Sequence, residues 1–184
     1  MGKHKAINIF NWLQKKIIPS RSLPPIPAAI WQKPSYFVAF GFGTGALPIA
    51  PGTFGTLIAI PFYLLLQPLP FYAYLTIVLL CAIVSMKLCD ILSKEIHVHD
   101  HPGMNIDEII GFLVTMIHAP PHWLWIIVGF ALFRLFDIWK PWPIHWLDQK
   151  VPGGIGMVLD DILAGIYGLV IIQALAWSIT TAVP

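Results

Sequence analysis

Five carboxylates and two bases stand at the ends of apolar stretches, and their spacing is that of a site. Arg134, Asp137 and Lys140 follow one another three residues apart. On a helix all three fall on roughly one face. Pro141 and Pro143 stop that helix, because neither has an amide hydrogen to donate. Asp107-Glu108 leads into the apolar run 109–117, and Asp160-Asp161 leads into another at 162–180. Charge at the end of a membrane helix is costly unless it faces protein, water or a ligand. Oxygen-only ligands suit Mg²⁺, which keeps several waters and shares itself with substrate phosphates. Asp107, Glu108, Asp160 and Asp161 make the expected metal set. Asp137 completes that shell or accepts a proton from water. Arg134 as a bidentate fork and Lys140 as a point charge suit phosphate oxygens. These are the parts of a metal-assisted phosphoryl-transfer site. Either acidic doublet alone would read as a helix cap favoured by the dipole. Three acidic clusters with two bases among them read as one shared site.

Other groups add less. His97, His99 and His101 alternate, which lines one side of an extended strand. Zinc or nickel could be held there, but a solvated loop is the plainer reading, with His99 and His101 as acid/base candidates. The stretch 41–56 is rich in glycine and proline and uncharged. It carries neither a Walker lysine nor the dinucleotide fingerprint. Two readings stand, a tightly packed turn buried in protein and a nest of backbone amides beside a phosphate. The chain has no Cys-x5-Arg loop, no phosphoaspartyl Asp-x-Asp signature, no Ser-Gly-His pattern and no CDP-alcohol transferase spacing. With no covalent nucleophile in view, direct attack by water on phosphorus is the expected chemistry. Phosphate monoesters resist hydrolysis so strongly that the site must lower the barrier by about 20 kcal/mol.

The elements that must position these groups follow from composition. The 184 residues are 57% apolar and 11% charged, with mean hydropathy +0.75. Globular domains carry about 25% charged residues, so this is a membrane composition. Cys81 and Cys89 match no zinc or redox spacing and read as small packing residues. Nothing suggests a nucleic-acid partner. Lys3, Lys5, Lys15, Lys16, Arg21 and Lys33 precede the first acid, Asp90. Residues 4–18 read as an amphipathic helix on an anionic surface, and 19–34 as a proline-rich linker. Residues 1–34 thus form a basic N-terminal segment, and 35–184 a membrane-embedded domain.

Within that domain the pattern predicts a short helix near 56–67 and a span near 70–88. A polar segment follows, then a short apolar element at 109–117 and a span over 123–139. A polar loop covers 140–160, and Asp160-Asp161 opens the last span. The turns at 67–70 and 118–122 lack Lys, Arg, Asp and Glu. An N-inside arrangement with five passes places every charged region on the cytoplasmic side. The fold expected is all-α and polytopic, with about four to five apolar passes, some short or re-entrant against the roughly 20 residues a full span needs.

The motifs resemble those of the bacterial phosphatidylglycerophosphatase A family. The matching stretches are 47–57, Val98-His99-Asp100-His101 with 107–111, Phe133-Arg134 through Asp148, and Gly153-Gly154-Ile155-Gly156 with 160–165. Asp137-Ile138-Trp139-Lys140-Pro141-Trp142-Pro143 is the most specific of them. The resemblance spans residues 35–175 and implies an all-helical, Mg²⁺-dependent inner-membrane phosphatase. Its phospholipid substrate would be phosphatidylglycerophosphate and its product phosphatidylglycerol. Pro102-Gly103-Met104-Asn105-Ile106 looks like a variable loop without a role. The competing class is a non-enzymatic cation or phosphate transporter. A transporter should carry its acids near the bilayer midplane, whereas these lie at segment ends.

Overall fold

A computed structural model describes residues 27–98 and 101–182. Every regular element among them is helical. A 3-10 turn at Ala28–Trp31 leads into α1 (Pro34–Ala39), and a second one at Gly41–Ala46 into α2 (Pro51–Leu66). Then come α3 (Phe71–Glu95), α4 (Ile106–Thr115), α5 (Trp123–Trp139), α6 (Ile144–Lys150) and α7 (Gly153–Ala182). The amphipathic reading of 4–18, and His99, lie outside the described residues.

The short helix α4 is the centre of the fold. All of its residues except Glu108 are buried, and it packs against α2, α3, α5 and above all α7. Ten residues cover about 15 Å, too short to cross a bilayer, yet the helix is enclosed by protein. Its C-terminal carbonyls, which have no partners within the helix, are met by side chains from the neighbours. Tyr74 Oη donates to the Leu113 carbonyl at 2.7 Å. In the turn just after the helix, Gln173 Nε2 donates to the carbonyls of Ile117 and His118 at 3.0 and 3.1 Å. In a dry environment such pairing is obligatory. The α4–α7 crossing is close because glycines face each other. A Cβ on Gly165 would collide with the Gly111 carbonyl, and Thr115 Oγ1 donates to the carbonyls of Gly111 and Gly165 at 3.0 and 3.3 Å. Small residues that admit backbone contact are the usual means of joining helices in lipid.

The outer faces are apolar. On α3, Tyr74, Val78, Ala82, Ser85, Cys89 and Leu92 turn inward at helical spacing, while Leu79, Leu80, Ile83 and Val84 are exposed. A helix apolar on both faces suits lipid, not water. Phe71–Glu95 and Gly153–Thr181 are long and apolar enough to cross a membrane, and Pro51–Leu66 is a shorter apolar helix.

Several boundaries differ from the sequence expectation. The loop expected over 140–160 contains α6, and α7 begins at Gly153, so Asp160-Asp161 lie two turns inside the last helix. They cannot be its cap. The start of α7 is instead held on α3, where the Gly154 backbone N–H donates to the Asp90 carboxylate. The span expected over 70–88 runs on to Glu95. The linker reading of 19–34 overlooks the turn at Ala28–Trp31, whose Ile30 is fully buried in the core.

Candidate active site

The acidic residues come together from α4, α5 and α7. Asp107 and Glu108 occupy the first turn of α4, where the helix dipole favours negative charge. Asp107 Oδ1 accepts from the Glu108 backbone N–H at 3.1 Å. Asp160 repeats that local bond, accepting from the Asp161 N–H at 3.1 Å. Carboxylate oxygens of Asp107, Glu108 and Asp161 lie within 4.8 Å of one another. Asp107, Asp137, Asp160 and Asp161 are all buried.

The bases bind this cluster from the end of α5. Arg134 Nη1 sits 2.6 Å from Asp137 Oδ2 and 4.0 Å from Glu108 Oε1, so it bridges α5 to α4. Its Nε is buried and has no hydrogen-bond acceptor among the described residues. Lys140 caps α5 in the left-handed conformation, with φ 45°. A non-glycine residue held there is uncommon and signals constraint from its surroundings. The constraint is visible: Lys140 Nζ donates to Asp160 Oδ2 and, at 2.7 Å, to Asp148 Oδ1. Burial alone would depress the Lys140 ammonium. The facing carboxylates of Asp160, Asp161 and Asp148 outweigh it and hold the group above its ordinary value.

The sequence-predicted groups therefore divide. Asp107, Glu108 and Asp161 form one cluster, Arg134 ties Asp137 to Glu108, and Asp160 engages Lys140. His101 is buried elsewhere: its Nδ1 accepts from the Gly103 N–H at 3.0 Å and its ring packs on Phe40. Its tautomer is thereby set, with the proton on Nε2.

Three contributors escape sequence reading. Asp148 closes one of the stretches that carry the resemblance, but nothing in the spacing joins it to Lys140. Gly52 lies against the cluster so tightly that a Cβ there would collide with Glu108 Oε1 and sit 3.3 Å from Arg134 Nη1. That puts the start of α2 at the site. The glycine- and proline-rich stretch is a 3-10 turn at Gly41–Ala46 followed by the first turn of α2, and Gly52 in it lies beside the carboxylates. Asn105, in the stretch read as a variable loop, is fully buried. The only signal was its place two residues before Asp107.

Five carboxylates facing two bases leave excess negative charge in a buried place. Donors of oxygen alone, gathered this closely, fit a hard divalent cation that neutralises them.

A family model described as phosphatidylglycerophosphatase A matches residues 37–176. A protein of Escherichia coli K12 named phosphatidylglycerophosphatase A is 45% identical over 134 residues, covering 72% of this chain and 78% of the relative. A Haemophilus influenzae protein of the same name is 38% identical over 146 residues, with 78% and 90% covered. A third relative, from Bacteroides thetaiotaomicron, bears a provisional name as a phosphatidylinositol-3-phosphatase and is 33% identical over 159 residues, with 80% and 99% covered. No solved structure matches the chain.

Proposed function

The chain belongs to the phosphatidylglycerophosphatase A family, and we propose that it hydrolyses the terminal phosphomonoester of phosphatidylglycerophosphate to phosphatidylglycerol at the cytoplasmic face of a bacterial inner membrane, with Mg²⁺ as cofactor. The observation that carries this reading is the gathering of Asp107, Glu108 and Asp161 within 4.8 Å, beside an arginine whose buried Nε has no acceptor among the described residues.

Asp107, Glu108 and Asp161 would hold the cation, with Asp160 behind them on the same turn of α7. When bound, Mg²⁺ supplies Lewis-acid charge to the phosphoryl oxygens and to the attacking water. Arg134 offers its Nε–H to a phosphoryl oxygen while Asp137 and Glu108 hold its other arm. Asp137 is placed to accept the proton that water loses. Lys140, locked by Asp160 and Asp148, keeps a permanent positive charge at the site's edge. Neither His99 nor His101 is needed for these steps, and His101 spends its Nδ1 on a turn. The lipid tails stay in the bilayer, and only the headgroup enters. An N-inside arrangement of four to five apolar segments, with α4 entering the bilayer without crossing it, would put the C-terminal end of α5 and the N-terminal ends of α4 and α7 toward the cytoplasmic surface, the side that a basic N-terminal segment favours.

The test is phosphate release by the purified full chain in detergent micelles. Release from phosphatidylglycerophosphate should stop on chelation and return with Mg²⁺. No release from this lipid, together with release from phosphatidylinositol 3-phosphate, would move the activity to the substrate named for the Bacteroides relative. Release that survives chelation would remove the metal from the reading.

A further inference from the structure

Asn105 is the least explained buried polar residue of the fold. It stands at the N-cap of α4, two residues before Asp107, but its side chain makes no cap hydrogen bond. Its Nδ2 instead reaches 54 and 61 residues back along the chain. It donates to the Pro51 carbonyl at 2.9 Å and to Thr44 Oγ1 at 3.0 Å. Thr44 Oγ1 passes its own proton to the Gly41 carbonyl at 2.8 Å. The Asn105 backbone N–H donates to the Ala39 carbonyl at 3.1 Å. One residue therefore ties the end of α1, the turn at 41–46 and the first residue of α2 to the first turn of α4.

The surrounding sequence makes room for this side chain and for nothing larger. A Cβ on Gly41 would collide with Asn105 Oδ1, and one on Gly55 would lie 2.8 Å from Asn105 Cβ, Cγ and Nδ2. Gly41 also has φ +55°, a conformation that glycine adopts at no steric cost. Asn105 Oδ1 is buried without a hydrogen-bond partner among the described residues. A buried acceptor left unpaired subtracts from stability, so the amide is a poor device for stability alone. What it fixes is a distance. The Pro51 carbonyl it holds belongs to the residue before Gly52, and Gly52 lies against the Glu108 carboxylate and the Arg134 guanidinium.

We propose that Asn105 is a positioning residue of the reaction, a bolt that holds the start of α2 against the Glu108–Arg134 pair and so sets where the Glu108 carboxylate points. The inference rests on the phosphatase reading of that site. Groups behind metal-binding carboxylates orient them, and their loss usually costs about 10- to 100-fold in metal affinity or activity. A displacement of about 1 Å at such a site can cost about 100-fold in rate.

The experiment compares Asn105→Asp, which keeps the shape and replaces the donor, with Thr44→Val and Thr44→Ser. Each is purified as the full chain in micelles and checked for helical content. Folded Asn105→Asp should lose about 100-fold in kcat with KM for the lipid within about twofold, and should need about 10-fold more Mg²⁺ for half activity. Hydrogen exchange should quicken in 41–56 and 106–111 together and stay unchanged in α7. Thr44→Val removes one anchor and should lose about 10-fold in kcat, which Thr44→Ser restores. Wild-type kcat and Mg²⁺ requirement in folded Asn105→Asp would overturn the inference, as would loss of active fraction alone with unchanged constants in the remainder. If Asn105→Asp does not fold, Thr44→Val decides: wild-type turnover there overturns it. A wild-type chain that releases no phosphate would sink the phosphatase reading itself, a different result from an active wild type with an unaffected variant.

Discussion

The two acidic doublets look alike in sequence and are used differently by the fold. Asp107-Glu108 and Asp160-Asp161 both precede apolar residues. In both, the first aspartate accepts from the backbone N–H of the second acid at 3.1 Å. There the likeness ends. Asp107-Glu108 opens α4, where the amides of the first turn and the helix dipole favour negative charge. Asp160-Asp161 lies inside α7, where the backbone amides are already bonded along the helix and the dipole offers little. Its charge must be met by partners from outside the helix. Successive helical residues point about 100° apart, and here the two acids engage different groups. Asp161 turns to the α4 doublet and Asp160 to Lys140. A doublet at a helix start is partly compensated by the helix terminus, whereas one in mid-helix has, beyond its one local bond, only tertiary contacts to meet its charge.

That contrast can be broken most directly at Asp161. Asp161→Asn keeps the size and removes one member of the cluster, so phosphate release should fall by about 1,000-fold or more while helical content is retained. Asp107→Asn should do the same, because the doublets meet there. Near wild-type turnover in both would show that the cluster is structural.

The next effect is on stability. Lys140→Met leaves Asp160 buried and unpaired, which should cost about 3–5 kcal/mol. Asp160→Asn added to it should return most of that loss, as a double-mutant cycle on thermal unfolding in detergent would read. Additive losses would mean that the two residues act independently and the division of the α7 doublet is wrong.

A smaller change sharpens how α7 is held in register. Gly165→Ala puts a methyl group against the Gly111 carbonyl and should cost about 1–3 kcal/mol through overpacking. Turnover should fall along with it, since the same crossing sets where Asp161 points. Stability lost with turnover per folded molecule unchanged would separate the crossing from the site.

The smallest effects belong to the rim. Asp148 is partly exposed, with 36% side-chain accessibility beside Lys140, so Asp148→Asn should cost no more than about 1 kcal/mol. Lys140 is held above its ordinary value. Its stabilising contribution is complete below the ordinary lysine pKa of about 10.4 and lost only as pH climbs through the higher folded value. The stability gap between the wild type and Lys140→Met should therefore still be present at about pH 9. A gap that has vanished by that pH would mean that Lys140 is not the cation of the pair.

Much of this was legible from the chain alone. Arg134 and Asp137 share a helix face because three-residue spacing on a helix places them there, whereas Lys140, expected on the same face, leaves the helix in the left-handed conformation; α5 runs over Trp123–Trp139 as its apolar run and the prolines after it demand. The presence of acids and bases at the helix ends, the all-helical class and the apolar, membrane-type helices follow from residue types and hydropathy, which are local properties. Only the tertiary structure decided that α7 starts at Gly153, that Asp160 goes to Lys140 while Asp161 joins Asp107 and Glu108, and that Asn105 reaches back to Pro51. Each of these depends on the rotation and height of one helix against another. Those are set by glycine contacts such as Gly111 with Gly165 and by bonds between residues dozens of positions apart, where no periodicity in the sequence records the partner.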